Sequence, residues 1–565
     1  MKNFFLFPLA VIAFVITASC STERSGKEPS GVKGEKAMVV TAHPEASKIG
    51  VDILRAGGNA IDAAVAVQFA LAVCYPEAGN IGGGGFMVYR TADGAAYSLD
   101  FRECAPEAAR EDMYLDSAGN VIESLSLNGH LACGVPGSVA GMAEAHGRFG
   151  SMNWKELLRP AVELAANGFA VTSRQAARLN EHSASFAAMS TQACSWFGPK
   201  NWLEGDCLLQ PELAATLARI SEVGPGDFYS GITAGLIVEE MMRGNGLIGY
   251  EDLEDYRAVW REPAVGTYGN YRLYSMGLPS SGGIALFQML GMRGHLADLP
   301  AVQFDPTRIH ILSEIQRRVF ADRARYMGDP DFVEVPVDAL LDPDYLARRA
   351  AEISPYRASN AAEIRAGDFV FEPLETTHFS IVDPAGNAVA ITTTVNGLYG
   401  SHVVVGGAGF FLNNQMDDFS IKPGHPNLFG LSGGQANAIA PGKRMLSSMT
   451  PTIAEQDGRL SMVLGSPGGS RIITSVFNVF LNVADLGMGM QQAVDAGRFH
   501  HQGSPDILYL EGDRMPGEIH KSLGKFGHNV EYVSVIGAVD AILIDKQGNR
   551  IGAADPRGDD IAMGF

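Results

Sequence analysis

Residues 376–396 read Thr376-Thr377-His378-Phe379-Ser380-Ile381-Val382-Asp383-Pro384-Ala385-Gly386-Asn387-Ala388-Val389-Ala390-Ile391-Thr392-Thr393-Thr394-Val395-Asn396. Two β-branched runs flank a Pro-Ala-Gly-Asn turn, which is the pattern of an antiparallel hairpin. With the turn at 384–387, Asp383 pairs with Ala388, and Thr376 lies opposite Val395, next to Thr394 and Asn396. A slip of one residue would set Thr376 directly opposite one of those two. In either register Thr376, Thr394 and Asn396 converge at the open end of the hairpin. Threonines suit strands for their own sake, so the surrounding sequence has to decide whether the convergence means chemistry.

Downstream, a strand from Leu460 to Leu464 runs into Gly465-Ser466-Pro467-Gly468-Gly469-Ser470, followed by an apolar helix from about Arg471 to Ala484. A further strand, Ala541 to Asp545, ends at the turn Gln547-Gly548-Asn549. Upstream, Pro44 to Cys74 reads as helix with a stop and restart at Gly57-Gly58-Asn59. Met87–Tyr89 and Ala96–Leu99 are short strands about Asp93-Gly94, and Trp154 to Asn167 is an amphipathic helix within a largely helical stretch, 150–330. Residues 343–375 are charged and turn-rich, the texture of a flexible linker. Two motif matches fail on context. Gly244-Asn245-Gly246-Leu247-Ile248-Gly249 follows a helical pattern instead of a strand, so it reads as a helix stop. Gly430-Leu431-Ser432-Gly433-Gly434 follows a loop, which a nucleophile elbow cannot do.

The chain of 565 residues carries a formal charge of −20 and is 46% hydrophobic. A disordered or collagen-like chain is excluded, and so great an acidic excess argues against a nucleic-acid partner. The 66 glycines are clustered without a three-residue period, which points to tight backbone approaches. The apolar run Phe4 to Ile16 is too short to span a bilayer and fits a secretory signal. Thr17-Ala18-Ser19-Cys20 resembles a bacterial lipobox, in which Cys20 becomes the acylated first residue; the alternative is an ordinary cleaved signal. Residues 1–19 are then a lipoprotein signal peptide and 20–36 a tether. Cys194 and Cys207 bracket a short polar segment and are the candidate disulfide. No CxxC or HExxH spacing occurs, so no metal site is supported.

The ordered blocks around the hairpin carry a resemblance. Glu375-Thr376-Thr377-His378-Phe379-Ser380, Asn413-Asn414-Gln415-Met416-Asp417-Asp418, Leu446-Ser447-Ser448-Met449-Thr450-Pro451 and Gly465-Ser466-Pro467-Gly468-Gly469-Ser470 are similar to blocks of the γ-glutamyltranspeptidases. These are members of the N-terminal-nucleophile hydrolases. The similarity extends upstream to Gly79–Phe86, Asp100-Phe101-Arg102-Glu103 and Gly134–Ser138, and downstream to Arg498–Gln502 and Ala554–Arg557. It implies an α/β (α+β) fold, a four-layer αββα sandwich built jointly by a large subunit, 37–375, and a small subunit, 376–565.

The resemblance also implies roles. The precursor is cut between Glu375 and Thr376, and Thr376 becomes both nucleophile and N-terminal amine. A free α-amine titrates near pH 8, so it can serve as its own general base. Thr394 orients the Thr376 hydroxyl, and the backbone N–H groups of Gly468 and Gly469, ahead of a helix, stabilise the oxyanion. Arg102, with Ser447 and Ser448, holds the substrate α-carboxylate, while Asn396, Gln415 and Asp418 accept from its α-ammonium. Where some bacterial members carry a lid tyrosine, this chain has Phe429. The implied substrates are glutathione and other small γ-glutamyl compounds, with no metal or organic cofactor, no nucleic acid, and the membrane only through a lipid anchor. Such a protein is exported, to the periplasm or an outer-membrane anchor of a bacterium. The rivals are a cephalosporin or glutaryl acylase on the same scaffold, and an inactive binding lipoprotein.

Overall fold

The hairpin forms as strands Thr377–Val382 and Ala388–Thr394. The computed structural model describes Met1 and residues 31–122, 124–194, 200–360 and 376–565. The expected signal segment beyond Met1, Cys20 and Glu375 lie outside the described residues. The register pairs Val382 with Ala388 and Thr377 with Thr393, one residue away from the pairing of Asp383 with Ala388. The hairpin closes around three residues, Pro384-Ala385-Gly386, because Asp383 pairs with Asn387, its N–H donating to Asn387 O at 3.0 Å, and its carboxylate caps the turn. Oδ1 accepts from Asn387 N at 2.9 Å and Oδ2 from Asn387 Nδ2 at 2.7 Å, while Gly386 takes φ +91°. Continued by one residue, this register sets Thr376 opposite Thr394.

The hairpin is the centre of a seven-stranded sheet. Its strand order is Ile561–Gly564, Met38–Thr41, Thr377–Val382, Ala388–Thr394, Gly84–Arg90, Ala96–Phe101, Val259–Arg261, all antiparallel. A second seven-stranded antiparallel sheet runs Val32–Gly34, Arg550–Ala553, Asp540–Ile544, Arg459–Gly465, Thr452–Gln456, Tyr271–Ser275, Ala264–Tyr268. Period-two alternation sorts the side chains into layers. Phe379, Ile381, Val389 and Ile391 join a core with helices Pro44–Arg55 and Ala60–Cys74. Their alternates Val382, Ala388 and Ala390 meet Ile453, Val463 and Ile542 of the second sheet. The far face of that sheet packs on helices Gly282–Gly294, Pro306–Tyr326 and Arg471–Ala484. The result is the αββα sandwich. A slipped hairpin would drive Phe379 and Ile391 into the space that Ser380, Ala388 and Ala390 occupy, an overpacking cost of about 1–3 kcal/mol per site.

Local signals set many of the element ends. Asn59 caps Ala60–Cys74 in a reciprocal capping box with Asp62, and Trp154–Asn167 starts at the Asn153 cap. Gly244 ends a helix whose cap residue, Asn245, is left-handed. Three expectations need correction. Val32–Gly34, assigned to the tether, is an edge strand paired with Arg550–Gly552. Pro343–Ala351, assigned to a flexible linker, is a helix capped by Asp342, with Leu346 and Ala350 buried one turn apart. Cys207 carries a free, exposed thiol, so it is not bridged to the buried Cys194. Cys207 sits on a strand paired with Phe169–Ala170, its sulfur 3.9 Å from the Asn167 carbonyl.

Candidate active site

Both strands of the hairpin end at one small cavity, which Thr376, Thr394, Asn396, Gln415, Asp418, Arg102, Ser447, Ser448 and Gly469 all line. Thr376 and Thr394 arrive there as opposed strand ends, with Thr376 Oγ1 donating to Thr394 Oγ1 at 3.4 Å. Thr394 Oγ1 also accepts from Asn396 N at 2.8 Å, a contact made as the chain turns sharply and Asn396 adopts φ +73°. The Asn396 amide nitrogen donates to Asn414 O at 3.1 Å, which leaves the side-chain carbonyl for an incoming donor.

Gly468 precedes Gly469 at the end of strand Arg459–Gly465 and the start of helix Arg471–Ala484. Their carbonyls accept from Arg471 N and Ile472 N, at 2.9 and 3.3 Å, which starts the helix. Among the described residues neither glycine N–H donates to another backbone carbonyl. The two N–H groups therefore sit at the positive end of a fourteen-residue helix. Gly469 has φ +53°, and a Cβ on it would stand 2.4 Å from Phe429 Cδ1, so both the conformation and the close approach demand glycine. Phe429 is buried and forms an aromatic wall over the cavity. A phenol there would find Asn437 already engaged, its nitrogen donating to Asp418 O at 2.7 Å and its oxygen accepting from Leu446 N at 2.9 Å.

Arg102 follows strand Ala96–Phe101 and is 1% exposed. Its backbone is clamped: its N–H donates to Asp100 Oδ1 at 2.9 Å, and its carbonyl accepts from Tyr256 Oη and Arg444 Nη1. Its guanidinium meets Asp418 Oδ2 at 2.5 Å and Glu103 Oε2 at 3.5 Å. Asp418 ends the short 3₁₀ turn Gln415–Asp418 and also accepts from Gln415 Nε2 at 2.8 Å and Asn427 Nδ2 at 3.0 Å. Among the described residues Gln415 Oε1 is buried without a hydrogen-bond partner. Burial pushes the Glu103 carboxyl up to about 7, and the adjacent Arg102 guanidinium opposes that rise.

The cavity offers no imidazole base. His378, two residues from Thr376, is buried, and that burial holds it down at about 3; its ring nitrogens pair with Thr392 Oγ1 and Ser380 Oγ. His500 is likewise neutral, held at about 3 by burial, and pairs with Thr474 and Gln502. Away from this cavity, buried His310, Glu314 and His528 lie close together. Arg318 and Ser359 occupy the Glu314 carboxylate, and the two imidazoles bond each other at 2.8 Å. That arrangement ties helices together and does not suit a cation. One residue in the cavity wall, Arg323, escaped the sequence reading. It lies in an arginine-rich helix where nothing local separates it from Arg317 or Arg318.

The sequence profile of the Gamma-glutamyltranspeptidase family matches residues 46–565. The chain is 50% identical to a "Glutathione hydrolase proenzyme" of Pseudomonas aeruginosa, covering 92% of each chain. To the "Glutathione hydrolase proenzyme" of Escherichia coli it is 44% identical, covering 94% of this chain and 93% of the relative. Among solved structures, a cephalosporin acylase from Bacillus halodurans superposes with TM-score 0.84 at 26% identity, covering 97% of this chain and 99% of that one.

Proposed function

The chain belongs to the gamma-glutamyltranspeptidase family, and from that premise we propose a self-processing enzyme that moves the γ-glutamyl group of glutathione and related compounds to water, amino acids or peptides. In the precursor, Thr376 Oγ1 attacks the Glu375 carbonyl. The peptide bond becomes an ester with a free Thr376 amine, and water splits that ester into two subunits, ending at 375 and beginning at 376. In the mature enzyme the Thr376 amine takes the hydroxyl proton while Oγ1 attacks the γ-carbonyl of the donor. The oxyanion lies on the Gly468 and Gly469 N–H groups. The proton passes to the leaving nitrogen, and a γ-glutamyl ester of Thr376 remains. Water or an acceptor amine then attacks that ester and restores the threonine. Fixed donors of this kind contribute about 2.7–4 kcal/mol each when they act on the transition state.

The Arg102–Asp418 pair carries the choice of substrate. A γ-glutamyl group brings its own α-carboxylate and α-ammonium. Inserted between the two residues, it exchanges one ion pair for two and leaves the net charge of the cavity unchanged. A glutaryl group has only the carboxylate, and would leave Asp418 and the orphaned Gln415 Oε1 without a cation, which disfavours the acylase reading. The set Thr376, Thr394 and Gly469 on one cavity wall disfavours an inert binding protein. N-terminal sequencing and mass spectrometry of the purified protein test the processing step. Two pieces with a new terminus at Thr376 are expected, with a Thr376→Ala chain left whole; a wild-type chain still joined at 375–376 would refute it. From Phe4–Ile16 and Cys20 we also propose export and a lipid anchor, so the mature N-terminal peptide is expected to begin with acylated Cys20.

A further inference from the structure

Helix Pro306–Tyr326 sends Arg323 into the wall of the cavity. Its Nε donates to Ser281 Oγ at 2.8 Å and its Nη2 to Ser448 Oγ at 3.1 Å. Ser281 Oγ in turn donates to Ser447 O at 2.7 Å, so one guanidinium braces both serines of the Ser447-Ser448 segment. Arg308, Arg317 and Arg318 of the same helix each pair with a carboxylate. Arg323, only 5% exposed, hydrogen-bonds to hydroxyls alone and forms no ion pair among the described residues. Burial pulls it down to about 10, with nearby Asp418 opposing that fall, so it stays charged at neutral pH. A buried cation with no carboxylate in direct contact is costly, and a bound carboxylate relieves that cost.

The hydrogen-bond direction matters as much as the charge. A guanidinium only donates, so Ser448 Oγ must be the acceptor in this contact and its own proton must point elsewhere. We propose that Arg323 is a positioning residue of the donor site: it turns the Ser448 hydroxyl into a donor for the substrate α-carboxylate, and its unpaired charge makes the empty site prefer a carboxylate to a neutral group. This rests on the proposed placing of the α-carboxylate at Arg102 and Ser448.

The test compares inhibition constants of L-glutamate and its α-amide, isoglutamine, against hydrolysis of a γ-glutamyl anilide by the processed two-subunit enzyme. Arg323→Gln is expected to weaken glutamate about tenfold, the size of one charge-assisted hydrogen bond, and isoglutamine less than about twofold. Arg323→Lys keeps the charge and lies between. Ser448→Ala lowers the glutamate preference in the same sense, and the double variant loses clearly less than the product of the two single losses. Should Arg323→Gln fail to fold or process, Arg323→Lys and Ser281→Ala report the same ratio, each with a smaller loss in the same direction. Equal weakening of both inhibitors, or fully multiplicative losses, would overturn the inference. If Arg102→Lys and Ser448→Ala move the ratio while Arg323→Gln does not, only the role of Arg323 fails. If neither of those moves it, the carboxylate placing fails and takes this inference with it.

Discussion

Replacing Asp418 with asparagine should drive two donors in opposite directions. Asp418 accepts from Arg102, Gln415 and Asn427, and in the proposed complex also from the α-ammonium of the donor. Asparagine keeps the shape but removes the charge. Loss of a charge-assisted hydrogen bond to an ammonium is worth about 1.5–3 kcal/mol, a fall of roughly 10- to 150-fold in kcat/KM for a γ-glutamyl anilide. A glutaryl anilide meets the reverse situation. In the wild type its carboxylate must draw Arg102 away from Asp418 and strand that aspartate; in the variant Arg102 has no such partner to leave. Turnover of the glutaryl donor is therefore expected to hold or rise while γ-glutamyl turnover collapses. Arg102 retains Glu103 at 3.5 Å, which limits the structural damage, and the processed fraction on a denaturing gel checks for it. Parallel losses on both donors would refute the division of labour between Arg102 and Asp418.

Gly469→Ala places a methyl 2.4 Å from the Phe429 ring on a φ of +53°, so kcat should fall by about 10²-fold or more, measured on processed enzyme. His378→Gln should leave the limbs of the pH–rate profile where they are, because an imidazole held at about 3 is neutral throughout. The same variant should change the acid stability. The folded pKa lies below the unfolded value of about 6.5, so the wild-type histidine contributes stability that is lost as pH falls from there toward 3. Removing it should flatten the decline of unfolding free energy between about pH 6 and 4 by up to one proton, or about 1.4 kcal/mol per pH unit, read by denaturant titration. Alkylation of the native protein should label exposed Cys207 and spare Cys74, whose thiol burial pushes far up; a Cys194–Cys207 disulfide recovered by peptide mapping would contradict the structure.

Features encoded by neighbours in sequence were the most legible. The hairpin, the Asn59 restart and the limits of Trp154–Asn167 depend on caps, turns and periodicity over a few residues. The register missed by one because alternation cannot show that Asp383 pairs with Asn387 and closes the turn around three residues instead of four. Ala264–Tyr268 and Tyr271–Ser275 passed unnoticed within a helical stretch because both are only five residues long, and the first is an edge strand with no fully buried residue. The site was legible through its blocks, since Arg102 and Asp418 are 316 residues apart and only the fold brings them to 2.5 Å. Arg323 was illegible for a related reason: its distinction is the lack of a carboxylate partner, a property of packing and not of local sequence.

Trapping the acyl-enzyme tests the central claim most directly. The processed enzyme is mixed with a γ-glutamyl anilide, quenched in acid within one turnover and digested, and the γ-glutamyl adduct is located by tandem mass spectrometry. The adduct is expected as an ester on the side-chain oxygen of Thr376, in the peptide that begins at that residue. An adduct on any other residue, or a full burst of product with an unmodified Thr376 peptide, would contradict the account.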